Sequence, residues 1–260
     1  MRSLDAFASL WNYFECMNSF SVLTYNVKFN SALPDVTKII STHAPDVICL
    51  QEVMIGKKQS YRELFPGYNL AATSGSFYRI GKTYGQATFY KKDTFFQVGS
   101  RSVFLPKTYY EIALTLFTRK GPRTALLTDL VFRSNLQPIS ICNLHLTALV
   151  ATNQARNKQL KEAFDELDLA TDSEIDPVVI LGDFNYPFRK KGLEKIMTAY
   201  GLKEATDNIL YTQTSFMKMW KNKLKFDFVL YHALTHTETK LLNEFTTSDH
   251  YPILSSFQLS

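Results

Sequence analysis

Polar residues that could take part in catalysis interrupt or end six short apolar runs of this sequence. In chain order they are Asn26, Glu52, His145, Asp183 with Asn185, Asp227, and Asp249 with His250. A carboxylate inside or beside a buried strand is costly unless it is paired or binds a metal ion. Any one of these residues has an ordinary explanation as a hydrogen-bonded strand end. Six segments that all draw on Asp, Glu, Asn and His instead predict one shared site.

The residue types in this set favour a hard divalent cation as the cofactor. Carboxylate and amide oxygens without thiolates suit Mg²⁺ or Mn²⁺ better than Zn²⁺. The three cysteines, Cys16, Cys49 and Cys142, are odd in number and show no Cys-x-x-Cys spacing. They therefore predict neither a zinc site nor a disulfide framework. A divalent cation held by carboxylates can lower the pKa of a bound water and offset negative charge on a substrate.

The runs that precede these residues are short, apolar and rich in β-branched side chains, which predicts strands. They lie at 20–25, 46–50, 68–72, 84–90, 95–104, 112–118, 123–133, 138–146, 177–181, 225–231 and 252–258. Helical periodicity marks three stretches, at 34–43, 152–169 and 190–200. In the middle of the chain strands follow one another with short turns, whereas strands and helices alternate on either side. This order predicts an α/β domain of two mixed sheets packed face to face with helices outside.

The composition is that of an ordinary soluble globular protein, with 260 residues of which 45% are hydrophobic and 20% charged. No repeat or linker divides the chain, so we predict a helical extension at 1–19 followed by a single domain at 20–260. No apolar run reaches the roughly 18–20 residues of a membrane helix, and the first residues do not resemble a secretory signal. We therefore expect a cytoplasmic monomer. Its net charge of +5 favours anionic partners such as nucleic acid.

Six motifs around these residues resemble, in order, those of the endonuclease/exonuclease/phosphatase superfamily, which includes the DNase I-like phosphohydrolases. They are Thr24-Tyr25-Asn26, Leu50-Gln51-Glu52, Asn143-Leu144-His145-Leu146, Gly182-Asp183-Phe184-Asn185, Phe226-Asp227-Phe228 and Ser248-Asp249-His250. The resemblance covers nearly the whole chain. It implies a four-layer α/β sandwich and metal-dependent hydrolysis of phosphate esters, usually with Mg²⁺.

The resemblance also implies a role for each matching residue. Glu52 corresponds to the main metal ligand, with Asn26 and Asp249 beside it. Asp183 corresponds to the residue that orients or deprotonates the attacking water. Asn185 corresponds to the residue that positions the water and the phosphate.

Four further residues complete the predicted site. By the same resemblance, Asp227 holds His250 in the orientation and protonation state for binding a phosphoryl oxygen. His145 matches a histidine that many branches of the superfamily place against the phosphate or the leaving group. Arg189 belongs to a basic run that directly follows the Asp183 segment. It is our candidate for a contact with substrate phosphate.

The motifs leave the substrate class open. The net charge and the basic clusters favour a nucleic-acid phosphodiesterase. A phospholipid or inositol-phosphate hydrolase, similar to sphingomyelinases or 5-phosphatases, is the alternative. A catalytically silent binding scaffold is a third interpretation, against which the intact set of residues argues. Abasic-site specificity is disfavoured, because Lys28 and Val53 stand where abasic-site nucleases commonly have an acidic residue and a threonine.

Overall fold

The computed structural model describes residues 18–56, 61–79, 81–107, 123–148, 151–169, 176–214 and 224–259. Within these ranges the chain forms twelve strands and three helices. The strands are β1 (Ser19–Asn26), β2 (Val47–Met54), β3 (Tyr68–Arg79), β4 (Lys82–Lys91), β5 (Phe95–Phe104), β6 (Thr124–Phe132), β7 (Pro138–His145), β8 (Val178–Asp183), β9 (Lys203–Glu204), β10 (Asp227–His232), β11 (Leu234–Leu241) and β12 (Ile253–Leu259). The helices are α1 (Leu33–His43), α2 (Asn153–Asp165) and α3 (Lys191–Ala199).

The strands form two sheets of six strands each. The first sheet has the order β11-β12-β1-β2-β4-β3, and the second has the order β5-β6-β7-β8-β10-β9. Each sheet contains one parallel pair, β1 with β2 in the first and β7 with β8 in the second. The other neighbours are antiparallel. Both sheets are therefore mixed, as the sequence predicts.

Side-chain alternation along the central strands gives the sheets two apolar faces each. In β1, Val22 faces the core between the sheets, whereas Leu23 and Tyr25 face the outer side of the first sheet. Helix α1 covers that outer side with Val36 and Ile39. Helices α2 and α3 cover the outer side of the second sheet. The result is four layers, in the order helix, sheet, sheet, helices, which confirms the predicted α/β sandwich.

Two buried amides join the sheets beneath the ends of their central strands. Gln51 of β2 donates from Nε2 to Oδ1 of Asn143 of β7 at 2.9 Å. The Nδ2 of Asn143 donates in turn to the backbone oxygens of Leu50 and Ala87, at 3.2 and 3.1 Å. Neither amide side chain is exposed to solvent. Because a buried amide is costly unless it is hydrogen-bonded, these contacts favour one alignment of the two sheets.

Most predicted elements are present with slightly shifted ends. The helix predicted at 152–169 ends at Asp165 and gives way to turns, with Asp168 at a φ of 53°. The sequence does not predict β9 or β11; β11 lies at a sheet edge with mostly exposed or half-buried side chains, so no apolar run marks it. The strand predicted at 112–118 and residues 1–17 of the predicted extension lie outside the described residues. No helix in the described ranges is long and apolar enough to cross a membrane.

Replacement of Asn143 by Ala should lower the free energy of unfolding. The change removes the acceptor for Gln51 and the donor to two carbonyl groups, and each buried polar group left unsatisfied costs about 1–3 kcal/mol. Urea-induced unfolding followed by circular dichroism measures the loss. Gln154→Ala, at an exposed position of α2, is the control and should nearly keep the wild-type midpoint. Equal losses in the two variants would contradict this role of Asn143.

Candidate active site

One end of the sandwich collects the polar residues identified in the sequence. The carboxyl ends of β1, β2, β7 and β8 meet there with the amino end of β10 and the segment that leads into β12. The strand register places His145 opposite Asp183 in one pair and Asp227 opposite Asp183 in the next. Both sheets contribute to the cluster. The first sheet carries Asn26, Glu52, Asp249 and His250, and the second carries His145, Asp183, Asn185 and Asp227.

Asp183 is the centre of the cluster and is only 2% exposed. Its Oδ1 accepts a hydrogen bond from the backbone N–H of Asn185 at 2.9 Å, and its Oδ2 accepts one from Asn26 Nδ2 at 3.2 Å. The Nε2 atoms of His145 and His250 lie 3.6 and 3.8 Å from the same Oδ2. Burial raises the pKa of Asp183 to about 7, although the charge of His250 opposes the rise. A carboxylate with this pKa is a stronger base than an ordinary aspartate.

The backbone on either side of Asp183 adopts unusual conformations. Gly182 has a φ of 137°, and a Cβ atom there would lie 2.0 Å from the carbonyl oxygen of Leu144. Strand β8 can therefore approach β7 this closely only because the residue is glycine. Asn185 has a φ of 50°, in the left-handed region that Asn tolerates better than most residues, and its Nδ2 donates to Leu146 O at 3.2 Å. The loop after β8 is thereby held against the end of β7.

Glu52 lies at a bulge of β2, where the pairing with β4 changes register between Leu50 and Val53. Its φ of 59° is strained for a residue with a side chain, and such strain concentrates at functional sites. Burial raises the pKa of Glu52, whereas the charge of His250 and a hydrogen bond from Asn26 lower it. The bulge thus directs a carboxylate into a poorly solvated position beside an imidazole.

Asn26 ends β1 and links the two carboxylates nearest to it. Its Nδ2 donates to Asp183 Oδ2, and its side chain also hydrogen-bonds to Glu52. Its Oδ1 accepts from the backbone N–H of Lys28 at 3.1 Å. The amide therefore presents its nitrogen to the carboxylates. It would have to turn over to bind a cation beside Glu52, the role that the sequence predicts.

Asp227 and His250 form a carboxylate–imidazole pair that crosses from one sheet to the other. His250 Nδ1 donates to Asp227 Oδ2 at 2.8 Å, and the hydroxyl of Thr212 donates to the same oxygen at 2.6 Å. That hydroxyl also accepts from the backbone N–H groups of Phe226 and Asp227. Burial disfavours the charged imidazole, but Asp227 and Asp183 outweigh it and raise the pKa of His250 to about 10. His250 is therefore a cation at neutral pH.

His145 differs from His250 in its charge. Burial holds the pKa of His145 well below the ordinary value, and the charges of Arg123 and His250 add to the effect. Phe77 packs edge-on against the imidazole of His145, with 5.7 Å between the ring centres. His145 is therefore neutral, with its Nε2 facing Asp183. A charged and a neutral imidazole thus flank one carboxylate.

When all of its carboxylates are ionised, the cluster has more negative than positive charge. Four carboxylates lie together, those of Glu52, Asp183, Asp227 and Asp249, and they act electrostatically on one another. Positive charge comes from His250 and Arg123, and Lys28 Nζ lies 4.0 Å from Asp249 Oδ2 near the surface. A divalent cation would offset the remaining negative charge, and the oxygen donors present fit Mg²⁺ or Mn²⁺.

Three side chains of the cluster have potential ligand atoms within 4.8 Å of one another, those of Asp183, Asp227 and His250. Two of them are already paired, since His250 Nδ1 is hydrogen-bonded to Asp227. The cationic imidazole of His250 also disfavours a metal ion beside it. The carboxylate of Glu52, which lies at the bulge outside this pair, is therefore the better candidate for a first ligand.

Arg189 and Arg123 have different surroundings. Arg189, predicted from the sequence, is exposed after the Asp183 loop and has a φ of 55°. Within the described ranges, it takes no part in the hydrogen bonds and ion pairs that join the other predicted site residues. Arg123, which the motifs do not identify, lies just before β6, and its guanidinium carbon is 4.8 Å from the ring centre of Phe77. Its charge acts on both Glu52 and His145. A single arginine before an apolar strand gives no sequence signal that separates it from surface arginines.

Comparisons with known proteins agree with this architecture. The sequence profile of the group described as "Endonuclease/Exonuclease/phosphatase family" matches residues 23–250. A structure of such a protein from Bacteroides thetaiotaomicron superimposes with a TM-score of 0.74 at 16% identity, covering 93% of this chain and 95% of that one. A mannosyl-6-phosphatase of the same organism has a TM-score of 0.71 at 16% identity, covering 92% and 99% of the two chains. ANGEL2, a 2′,3′-cyclic phosphatase solved with adenosine-2′,3′-vanadate, has a TM-score of 0.70 at 19% identity, covering 93% and 96%. No curated protein matches the chain by sequence.

Replacement of Asp227 by Asn should lower the pKa of His250 from about 10 toward the ordinary imidazole value of about 6.5. Burial already lowers this pKa, and Asp227 is the largest of the influences that raise it. Histidine-selective NMR titration of the protein in EDTA measures the change. Asp93→Asn, at an exposed turn, is the control.

The same pair should also make stability depend on pH. Because the pKa of His250 is raised on folding, its contribution is fully present below the ordinary imidazole pKa and is lost as the pH rises through about 10. The free energy of unfolding of the wild type should therefore fall over this interval more than that of Asp227→Asn. Parallel pH profiles for the two proteins would count against a charged His250.

Proposed function

The chain belongs to the endonuclease/exonuclease/phosphatase family, and from this premise we propose that it is a divalent-metal-dependent phosphoesterase. The reaction is the hydrolysis of phosphodiester bonds by in-line attack of an activated water. One observation carries the proposal. A buried carboxylate, Asp183, is held by Asn26 and Asn185 and is faced by two imidazoles, one cationic and one neutral.

The residues that would hold the cation are Glu52, Asp249 and, after rotation of its amide, Asn26. When bound, a divalent cation neutralises negative charge on the phosphate and lowers the pKa of a bound water. The strained bulge at Glu52 supports this assignment, because its carboxylate is directed at the cluster although burial disfavours its charge. Asp249 is the more exposed ligand, with 24% of its side chain accessible.

The attacking water is held and deprotonated by Asp183, whose raised pKa suits a general base near neutral pH. The backbone N–H of Asn185 binds one oxygen of that carboxylate and so orients the other toward the water. Asn185 is only 8% exposed, and the second N–H of its Nδ2, beside the one donated to Leu146 O, is the group that would bind the water or a phosphate oxygen.

The two histidines have separate tasks. His250, cationic and oriented by Asp227, donates Nε2–H to a non-bridging phosphoryl oxygen and stabilises the charge that develops there. His145, neutral because of burial, donates a hydrogen bond to the phosphate or to the leaving oxygen. Arg123, whose charge acts on both Glu52 and His145, adds positive charge on that side. Arg189 is the candidate for a contact farther out, with the substrate backbone.

We propose nucleic acid as the substrate. The net charge of +5 supports it, because phosphate-backbone contacts dominate the affinity of proteins for nucleic acids. Among proteins with the same fold, one is described as acting on mannosyl-6-phosphate and another on a 2′,3′-cyclic phosphate. The fold is therefore compatible with both sugar and nucleotide phosphates. A panel of plasmid DNA, RNA, sphingomyelin and inositol phosphates, each with and without EDTA, distinguishes these classes. Hydrolysis of the lipid or inositol substrates alone would reject nucleic acid.

Asp183→Asn should lower kcat by about 10²–10⁴-fold on whichever panel member the wild type hydrolyses, because the variant lacks the general base. Steady-state rates with Mg²⁺ or Mn²⁺ measure the effect, and circular dichroism checks that the fold is kept. Asp93→Asn, an exposed carboxylate changed in the same way, should behave as the wild type. Full activity of Asp183→Asn would reject this role.

Glu52→Gln should weaken cation binding, because it removes the charge of the proposed main ligand. Loss of an outer-sphere partner already costs about 10–100-fold in metal affinity, so we expect at least that decrease for a direct ligand. Isothermal titration of each protein with Mn²⁺ measures it without an enzyme assay. Glu244→Gln, on an exposed turn, is the matched control, and equal affinities in the two variants would place the cation elsewhere.

A further inference from the structure

Helix α2 has two polar side chains on the face that it buries. Along this helix, Leu160, Ala163 and Phe164 pack against the second sheet, and Arg156 and Gln159 lie on the same side. Arg156 is 2% exposed and Gln159 is not exposed at all. Buried charged and amide groups are rare unless their hydrogen bonds are satisfied. Their partners therefore indicate what these residues do.

Both side chains bind the loop that follows His145. Arg156 donates from Nε to Thr147 O at 3.0 Å and from Nη2 to Ala148 O at 2.7 Å. Gln159 accepts the Thr147 backbone N–H at 3.1 Å and donates to the Thr147 hydroxyl at 2.8 Å. Thr147 is thus held on its N–H, its carbonyl and its hydroxyl by one helix.

The same helix also holds the loop that follows Asp183. Asn153, in the first turn of α2, accepts from Arg156 Nη1 at 2.9 Å and donates from Nδ2 to Phe188 O at 2.7 Å. The two loops are joined to each other as well, since Asn185 donates to the carbonyl of the residue before Thr147 at 3.2 Å. One continuous set of hydrogen bonds therefore runs from α2 into both loops of the candidate active site.

We propose that Arg156, Gln159 and Asn153 are positioning residues, which set the distance and orientation of His145 relative to Asp183 and Asn185. None of the three contacts substrate in this proposal. They act on the reaction through the two loops. A displacement of about 1 Å at reacting groups can cost on the order of 10²-fold in rate, so a clamp of this kind affects turnover more than substrate affinity. The charge of Asp183 also acts on the Arg156 guanidinium, which supports their closeness.

The experiment compares Arg156→Met, Arg156→Lys and Asn153→Ala with the wild type. Lys158→Met, at an exposed position of the same helix, is the matched control. Histidine-selective NMR of the free proteins in EDTA follows the imidazole of His145, assigned with a His145→Gln variant. Rates on bis(p-nitrophenyl) phosphate with Mn²⁺ give kcat and KM separately.

We expect Arg156→Met to shift and broaden the His145 resonances and to lower kcat by on the order of 10²-fold with little change in KM. Arg156→Lys should recover part of the rate, because an ammonium can still bind one of the two carbonyl groups. Lys158→Met should match the wild type in both measurements. If Arg156→Met does not fold, Arg156→Lys and Asn153→Ala decide, and a lowered kcat with displaced His145 resonances supports the clamp.

Unchanged His145 resonances together with wild-type kcat in the folded variants would overturn the proposal. A loss confined to thermal stability would do the same, since it would assign these residues to folding alone. The kinetic part rests on the proposed function, whereas the NMR part does not. An inactive wild type would therefore count against the phosphoesterase, and the His145 resonances would still accept or reject the clamp.

Discussion

Hydrogen bonds that cross from one sheet to the other are the constraint on which the site depends. Asn26 of the first sheet donates to Asp183 of the second, and His250 of the first donates to Asp227 of the second. The second sheet supplies Asp183 with Asn185 and His145, but Asn26 and His250 come from the first. The buried Gln51 amide beneath them joins the sheets a short distance deeper in the core. A relative shift of the sheets would therefore break the core contacts and the site together.

The cluster combines strained backbone with buried charge, which a stable fold must offset. Glu52 and Asn185 both have left-handed backbone conformations, and Asp183 is almost fully buried beside other carboxylates. Such features cost stability and persist where the surrounding structure determines them strongly. Here the bulge of β2, the closeness of β7 to β8 and the side chains of α2 supply that surrounding structure. The resulting arrangement places groups with different protonation states, a cationic His250 and a neutral His145, around one base.

Much of the site was predictable because its residues end or interrupt apolar strands. A polar residue such as Asp183 after a buried run stands out in a sequence, and the order of the motifs identifies the family. Thr212, Arg123 and Arg156 were not predictable in this way. Each lies outside a motif, and the role of each depends on a partner elsewhere in the chain, as that of Thr212 depends on Asp227. Strand β11 was not predicted for a related reason. An edge strand with polar side chains lacks the run of apolar residues that marks a buried strand.

The sequence by itself determined the fold class, the family and the identity of most residues in the cluster, because apolar periodicity and the order of motifs are properties of the linear chain and do not depend on how it packs. Only the tertiary structure decided which atoms face each other. It oriented the amide of Asn26 as a donor to Asp183 and packed α2 against both loops. It also raised the pKa of His250 and lowered that of His145. Hydrogen-bond direction and pKa depend on distance and burial, and these exist only after the two sheets have packed.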